Sequence, residues 1–358
     1  MIKQLSLRNF TVFEEAKLDF SPGLNIIIGE NGTGKTHLLK MGYLLSNAWP
    51  TLKKDQTLSN ERVEHYFSER LRHIYKPDKM GSLTKSESDG KSSVQGYCIP
   101  WAKLATPELG LNEIDWAFTF SNRSKDKISL HSYGVLEGPN YGESIYLPSK
   151  EMVSFFEGFL ALYEKREISF DETYRDLALH LSSLKLKTTP ALIKQALTAL
   201  SSDVGGTLEL DGGKFYLVSS GTKRKEITLV AEGIRKLATL LHLIENGSLE
   251  VGDTLFWDEP ESNLNPKLIK DVAVAILSLC KNGIQVVIGT HSLFLLREIE
   301  ILTSEKQFKT IPQRYFALGK KGDTVTVQQA NSVDEINPFV MLDEELAQSD
   351  RFMDAGND

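Results

Sequence analysis

Only two cysteines, Cys98 and Cys280, occur in 358 residues, and neither belongs to a CxxC or Cys/His ligand spacing. That excludes a disulfide framework or a zinc hook and suits a reducing compartment. Long hydrophobic runs are missing as well, since Lys, Glu or His interrupts the longest apolar stretches; no membrane span is expected. The opening Met1–Phe10 alternates apolar and polar residues like a half-buried strand and lacks the apolar centre of a signal peptide. The expectation is a cytoplasmic protein with no membrane partner. No sustained heptad and no internal repeat is present, which excludes a long coiled-coil arm. An excess of basic charge is absent too: the formal net charge is −7, against a surface basic all over. Local clusters at Lys185/Lys187, Lys223-Arg224-Lys225 and Arg235-Lys236 leave nucleic acid open as a partner, beside the plainer reading of a solvated face.

What is present is α/β alternation at both ends of the chain. Ile2–Phe10, Ala16–Phe20 and Leu24–Ile28 read as strands, followed by a helix from Gly34 to about Ala48. The last third gives a helix at Leu229–Ile244, a buried strand at Thr254–Trp257, and a helix at Pro266–Lys281. A second buried strand at Ile284–Ile288, a helix at Ser292–Leu302, and a hairpin of Arg314–Leu318 with Thr324–Gln328 complete it. The middle is less regular. Lys79–Ser93 reads as a polar mobile loop, and Glu113–Phe120 with Lys127–Tyr133 as an exposed hairpin. Ser144–Leu147 is a short strand. Met152–Tyr163, Phe170–Leu184 and Pro190–Ser201 read as helices, and Leu208–Leu210 pairs with Phe215–Val218 through Asp211-Gly212-Gly213.

Gly29-Glu30-Asn31-Gly32-Thr33-Gly34-Lys35-Thr36 fits the G-x-x-x-x-G-K-[ST] pattern between a strand and a helix, as a phosphate-binding loop requires. Its glycines permit the backbone to wrap N–H groups around an anion, and the helix that follows, through His37, points its positive end at the same place. Lys35 is placed to reach the β- and γ-phosphates of ATP, and the Thr36 hydroxyl to ligate Mg²⁺. Leu255–Asp258 runs as an apolar strand into a second carboxylate, Glu259. Asp258 is the candidate Mg²⁺ ligand and Glu259 the candidate base for an attacking water. His291, at the end of the next buried strand, is the candidate sensor of the γ-phosphate.

These segments, in this order, resemble the ABC-type ATPase heads of the SMC/RecF/OLD group: "LRNF" leading to "GLNIIIGENGTGKT", then "LFWDEPESNLNP" and "VVIGTHS". The resemblance covers about residues 1–48 and 225–320. It implies an α/β P-loop ABC-ATPase head with a mixed or parallel core sheet, an antiparallel β subdomain and an inserted helical lobe. Residues 1–48 plus 225–330 would be the nucleotide-binding core, 49–224 the inserted lobe and 331–358 an acidic tail. It also implies a homodimer that sandwiches two ATP molecules, each between one subunit's phosphate loop and the other's signature segment. Here that segment is Val230–Lys236, with Gly233 as the residue approaching phosphate, although Ala231 stands where the group has serine and Glu232 adds an anion. Ser262-Asn263-Leu264-Asn265 would lie at the dimer seam. Gln95 and Lys150 are the candidates for contacts from the intervening segment.

An ATPase switch in a defence or repair complex, acting on a separate effector or nuclease subunit, is the function these features imply. No acidic cluster after His291 suggests a nuclease of the chain's own. A transporter motor subunit and a non-hydrolysing ATP-bound scaffold are the alternatives.

Overall fold

The strand Leu24–Gly29 is buried at every position, as β-branched runs are when a sheet is covered on both faces. It is the third strand of a computed structural model that describes residues 1–53, 58–86, 90–100, 113–134, 142–166, 168–187, 204–219, 224–336, 348 and 351–352. The described elements run β1 (Ile2–Phe10), β2 (Phe13–Asp19), β3 (Leu24–Gly29), α1 (Lys35–Leu52), α2 (Asn60–Tyr75), β4 (Lys91–Cys98), β5 (Ile114–Ser121), β6 (Ser129–Tyr133) and β7 (Ser144–Leu147). They continue with α3 (Phe159–Lys165), α4 (Glu172–Leu181), β8 (Thr207–Asp211), β9 (Lys214–Val218), β10 (Arg224–Glu226), α5 (Glu232–Glu245) and β11 (Thr254–Asp258). The last are α6 (Pro266–Lys281), β12 (Gln285–Thr290), α7 (Leu293–Ser304), β13 (Gln313–Lys321) and β14 (Thr324–Ala330).

The core sheet has the order β14-β13-β3-β12-β11-β7. Its strands are parallel from β13 through β7, and β14 alone is antiparallel. The mixed, mostly parallel sheet that the resemblance implies is therefore present. Alternate residues of each strand face two different cores. Ile26, Ile28, Trp257 and Ile288 pack with α5, α6 and α7. Ile27, Phe256 and Val287 pack with α1 and with the antiparallel sheet β2-β1-β4-β5-β6.

Helix α1 is thus the filling between two sheets, and it is buried nearly all round. Gly42 is what permits the approach to the core sheet: a Cβ there would stand 2.7 Å from the Phe256 ring. The helix passes the expected end at Ala48 and continues through Pro50 to Leu52. Proline costs it one intrahelical bond, and the burial of Trp49 and Leu52 offsets this at roughly 1.5–3 kcal/mol per side chain.

Several expectations for the middle of the chain need correction. Lys79–Ser93 is not a wholly solvated loop. Met80 is fully buried in a 3₁₀ turn, Met80–Leu83, and β4 already begins at Lys91. The hairpin β5–β6 is half buried rather than exposed, because Trp116 and Phe118 pack on Phe67 of α2 and Phe120 on Phe10 of β1. Met152–Tyr163 divides into a 3₁₀ turn at Val153–Phe155 and the short α3, interrupted by Gly158 at φ 68°. The strand β7, inside the span 49–224 expected as a separate lobe, is the edge strand of the core sheet instead; all four of its residues are buried. The helix expected at Pro190–Ser201 and most of the tail beyond 336 lie outside the described residues.

Candidate nucleotide-binding site

Three strand ends meet at one edge of the core sheet. Asp258 pairs in register with Gly289, and Gly289 with Ile27. The loops after β11, β12 and β3 therefore open into one crevice, at the carboxyl ends of parallel strands where such sheets hold ligands.

In the loop Gly29–Thr36, Gly32 and Gly34 have φ of 79° and 90°. Gly34 also sits under the β1–β2 turn, where a Cβ would meet Phe13 and Val12 at 2.8 Å. Thr33 is buried and donates from its hydroxyl to the Glu30 carbonyl at 2.8 Å. Glu30, Asn31 and Gly32 remain exposed. The N–H groups of the first turn of α1 have no intrahelical acceptor, and they add to the dipole that draws an anion here. Lys35 curls back over the loop, donating to the Gly29 carbonyl at 2.7 Å and to that of Glu30 at 3.0 Å. Burial lowers its pKa, while Glu259, Asp258, Glu261 and Glu30 favour its charged form. His37 behaves differently. Its ring lies beside Tyr75, burial brings its pKa down to about 4, and its carbonyl accepts from the Tyr75 hydroxyl. Only its main chain belongs to the first turn of the helix.

The two candidate metal ligands are already together: the Thr36 hydroxyl donates to Asp258 Oδ2 at 2.8 Å. The Tyr146 hydroxyl reaches the same oxygen at 3.3 Å. Asp258 Oδ1 is buried and has no hydrogen-bond partner. Burial raises the Asp258 pKa, a cost to the carboxylate that a cation beside Oδ1 would offset. One hydroxyl and one carboxylate beneath a phosphate loop fit Mg²⁺, which takes few protein ligands and completes its shell with phosphate oxygens and water. No cluster of three or more His, Cys, Asp or Glu fit to hold a metal occurs among the described residues.

Glu259 carries a left-handed backbone, φ 48°, a conformation that costs a residue with a Cβ about 1–2 kcal/mol. Its N–H is fixed by the Gly289 carbonyl at 2.9 Å. His291 Nδ1 stands 3.3 Å from Glu259 Oε1. Two strand ends thus bring the candidate base and the candidate sensor into contact.

Sequence reasoning missed two residues here. Glu261 is buried, accepts the Thr290 hydroxyl at 2.6 Å and the His291 N–H at 3.3 Å, and so organises the turn that carries His291. Tyr146 is the other. Its only sequence signal is its place in the short strand "SIYL", and its partner Asp258 is far along the chain.

The candidate signature segment, Val230–Lys236, packs against the candidate seam loop of the same chain. Gly233 is buried against the seam loop, where a Cβ would fall 2.5 Å from Leu264 and 2.9 Å from Leu268. Glu232 accepts from Asn263 Nδ2 at 3.0 Å. Asn263 has φ 61°, and Asn265 caps α6 by accepting from the Leu268 N–H. The Arg235-Lys236 pair is internal rather than a face for nucleic acid: Arg235 pairs with Glu151 at 2.9 Å and Lys236 is buried. Arg224 likewise pairs with Asp211 and lies over the Tyr216 ring, and Lys185 pairs with Glu245; Lys223 is outside the described residues. Gln95 stands exposed on the antiparallel sheet, bonded to the Tyr97 hydroxyl, with no bond to the crevice. Lys150 lies over the Phe155 and Phe170 rings at 5.3 and 5.6 Å. Among the described residues no helix is long and apolar enough to cross a membrane.

Comparison with known proteins bears on the family and the fold. The chain is similar to "DNA replication and repair protein RecF" of Streptococcus agalactiae, 40% identical over 65 residues, which is 18% of this chain and 16% of that protein. RecF of Lactococcus lactis is 47% identical over 45 residues, 13% of this chain and 12% of that protein. The match thus spans about a sixth or less of these relatives' length. In fold the chain is similar to an SMC head bound to the C-winged helix domain of ScpA, with TM-score 0.55 and 12% identity over 93% of this chain and 98% of that one. It is also similar to an SMC head with an extended coiled coil from Pyrococcus furiosus, TM-score 0.52 and 13% identity, covering 98% and 99%. The α/β SMC-head fold is therefore the fold of this chain. An AAA domain family matches residues 4–145. Since a second one, described as "AAA domain, putative AbiEii toxin, Type IV TA system", matches residues 106–297, more than half the chain, the protein belongs to that family of AAA-type ATPase domains.

Proposed function

We propose that this chain binds ATP with Mg²⁺ at Gly29–His37 and hydrolyses it, and that it works as an ATP-controlled switch in a defence or repair complex. The observation that carries the reading is the Thr36–Asp258 pair, whose buried Oδ1 lacks a partner, directly below a loop built for phosphates. Thr36 and Asp258 would hold Mg²⁺, which neutralises charge on the phosphate oxygens when bound. Lys35, released from the loop carbonyls, meets the β- and γ-phosphates. Glu259 accepts a proton from the water whose oxygen bonds the γ-phosphorus as the bond to the leaving ADP oxygen breaks. His291, beside Glu259, reads the γ-phosphate.

The proposal extends to a homodimer closed on two ATP molecules, with the start of α5 at Ala231-Glu232 facing the partner's phosphates and Gly233, buried against Leu264 and Leu268, seating that helix start instead of touching phosphate as the resemblance implied. The SMC-head likeness supports this arrangement, and the ScpA-bound head supports a protein effector as partner. Nuclease activity, where the complex has it, is assigned to another chain. Turnover of Glu259→Gln tests the reading: it keeps ATP bound and loses hydrolysis by about 10²–10⁴-fold. Hydrolysis at the parent rate would remove Glu259 from the mechanism.

A further inference from the structure

Lys236 is only 4% exposed, yet its charge is spent on one residue of the seam loop. Its ammonium donates to the Ser262 carbonyl at 2.8 Å and to the Ser262 hydroxyl. Ser262 in turn donates from its N–H to the Glu259 carbonyl at 3.1 Å and from its hydroxyl to the Ser149 carbonyl at 3.3 Å. The Glu259–Ser262 turn is therefore held by Gly289 at its start and by Lys236 at its end.

A buried ammonium asks for an explanation beyond packing. An aliphatic side chain of the same volume would fill the space without the desolvation penalty. Glu232, Glu261, Glu259 and Glu151 favour the ammonium form against a burial that lowers its pKa. What the charge adds is a firm, charge-assisted grip on a turn whose first residue has φ 48°.

We infer that Lys236 is a positioning residue for hydrolysis: through Ser262 it holds the turn that aims Glu259, and so ties the signature helix α5 to the base within one subunit. The inference rests on the ATPase reading above. It gives the Arg235-Lys236 pair a role quite different from a nucleic-acid contact.

The test compares steady-state turnover and equilibrium ATP binding of the full chain with those of Lys236→Met and Lys236→Arg. Lys236→Met keeps the stem and removes the ammonium. It is expected to lower kcat roughly 10–100-fold, the cost of a base displaced by a fraction of an ångström to an ångström, while KM and the ATP Kd stay within about twofold. Lys236→Arg restores most of kcat. Three results overturn the inference: kcat unchanged in Lys236→Met, Kd weakening in step with kcat, or Lys236→Arg no better than Lys236→Met. If the Met variant does not fold, Ser262→Ala removes the hydroxyl acceptor and is expected to lower kcat about threefold at unchanged Kd, as for one lost hydrogen bond; an unchanged kcat overturns it equally. A parent chain that binds ATP but never turns it over contradicts the ATPase reading instead, and the parent control separates the two failures.

Discussion

The Thr36 hydroxyl donates to Asp258 Oδ2 at 2.8 Å, joining the first turn of α1 to the end of β11 across 222 positions of sequence. The second oxygen of the same carboxylate is buried and unpaired. A buried carboxylate oxygen without a partner costs stability, a cost that a bound cation would relieve.

Asp258→Asn tests that trade. Burial raises the Asp258 pKa above its ordinary value, so the folded state favours the neutral acid. The stability this group contributes is complete below the unfolded pKa and is lost as pH rises through the raised folded value. At pH 7 the asparagine variant is therefore expected to melt higher than the parent without Mg²⁺, and to lose the further rise that Mg²⁺ with ATP gives the parent. Calorimetry with and without Mg²⁺ reads both effects. A variant less stable than the metal-free parent would contradict the account.

Glu259 pays for its position in backbone strain, at φ 48°. Glu259→Gly should raise stability by about 1 kcal/mol, because glycine enters this region without a Cβ clash, and should abolish turnover. Denaturant unfolding beside an ATPase assay checks it. Lower stability of the glycine variant would mean that the Glu259 side chain, through His291, contributes more than the strain costs.

Glu261 gathers Thr290 and His291 from β12. Glu261→Ala leaves the buried Thr290 hydroxyl without its acceptor, and a loss of about 1–3 kcal/mol is expected. Turnover should fall with it, since His291 loses its anchor. Glu261→Gln, which still offers an oxygen to Thr290, should recover most of the stability.

Arg70 joins α2 to α4, pairing with Glu172 at 3.0 Å and Asp176 at 2.7 Å, while Asp176 also accepts the Tyr43 hydroxyl of α1. Arg70→Met strands two largely buried carboxylates and should destabilise the chain by about 3–5 kcal/mol. Thermal unfolding measures it. A change below 1 kcal/mol would show that the network does not fasten the helices to the phosphate-loop helix.

Much of this arrangement is legible in the sequence where local chemistry fixes it. The helix α6 occupies Pro266–Lys281 as read, because Asn265 is an N-cap and Pro266 suits the first helical position. The strands β3, β11 and β12 announce themselves as apolar runs ending in Gly29, Asp258 and Thr290. What could not be read depends on partners remote in the chain. Tyr146 acquires its role from Asp258, Glu261 from Thr290, and Lys236 from Ser262. The polar stretch after Lys79 hid Met80, whose burial is decided by the sheet it lies against rather than by its neighbours. Glu232 read as an unwelcome anion at the signature segment, and the structure gives it a partner in Asn263.

The most direct measurement is a crystal structure of Glu259→Gln grown with ATP and Mg²⁺. The account predicts the β- and γ-phosphates within the Gly29–Thr36 loop, Lys35 moved from the loop carbonyls onto them, and Mg²⁺ on the Thr36 hydroxyl with Asp258 Oδ1 directly or through one water. A triphosphate bound away from that loop, or a metal with no contact to Thr36 or Asp258, would contradict it.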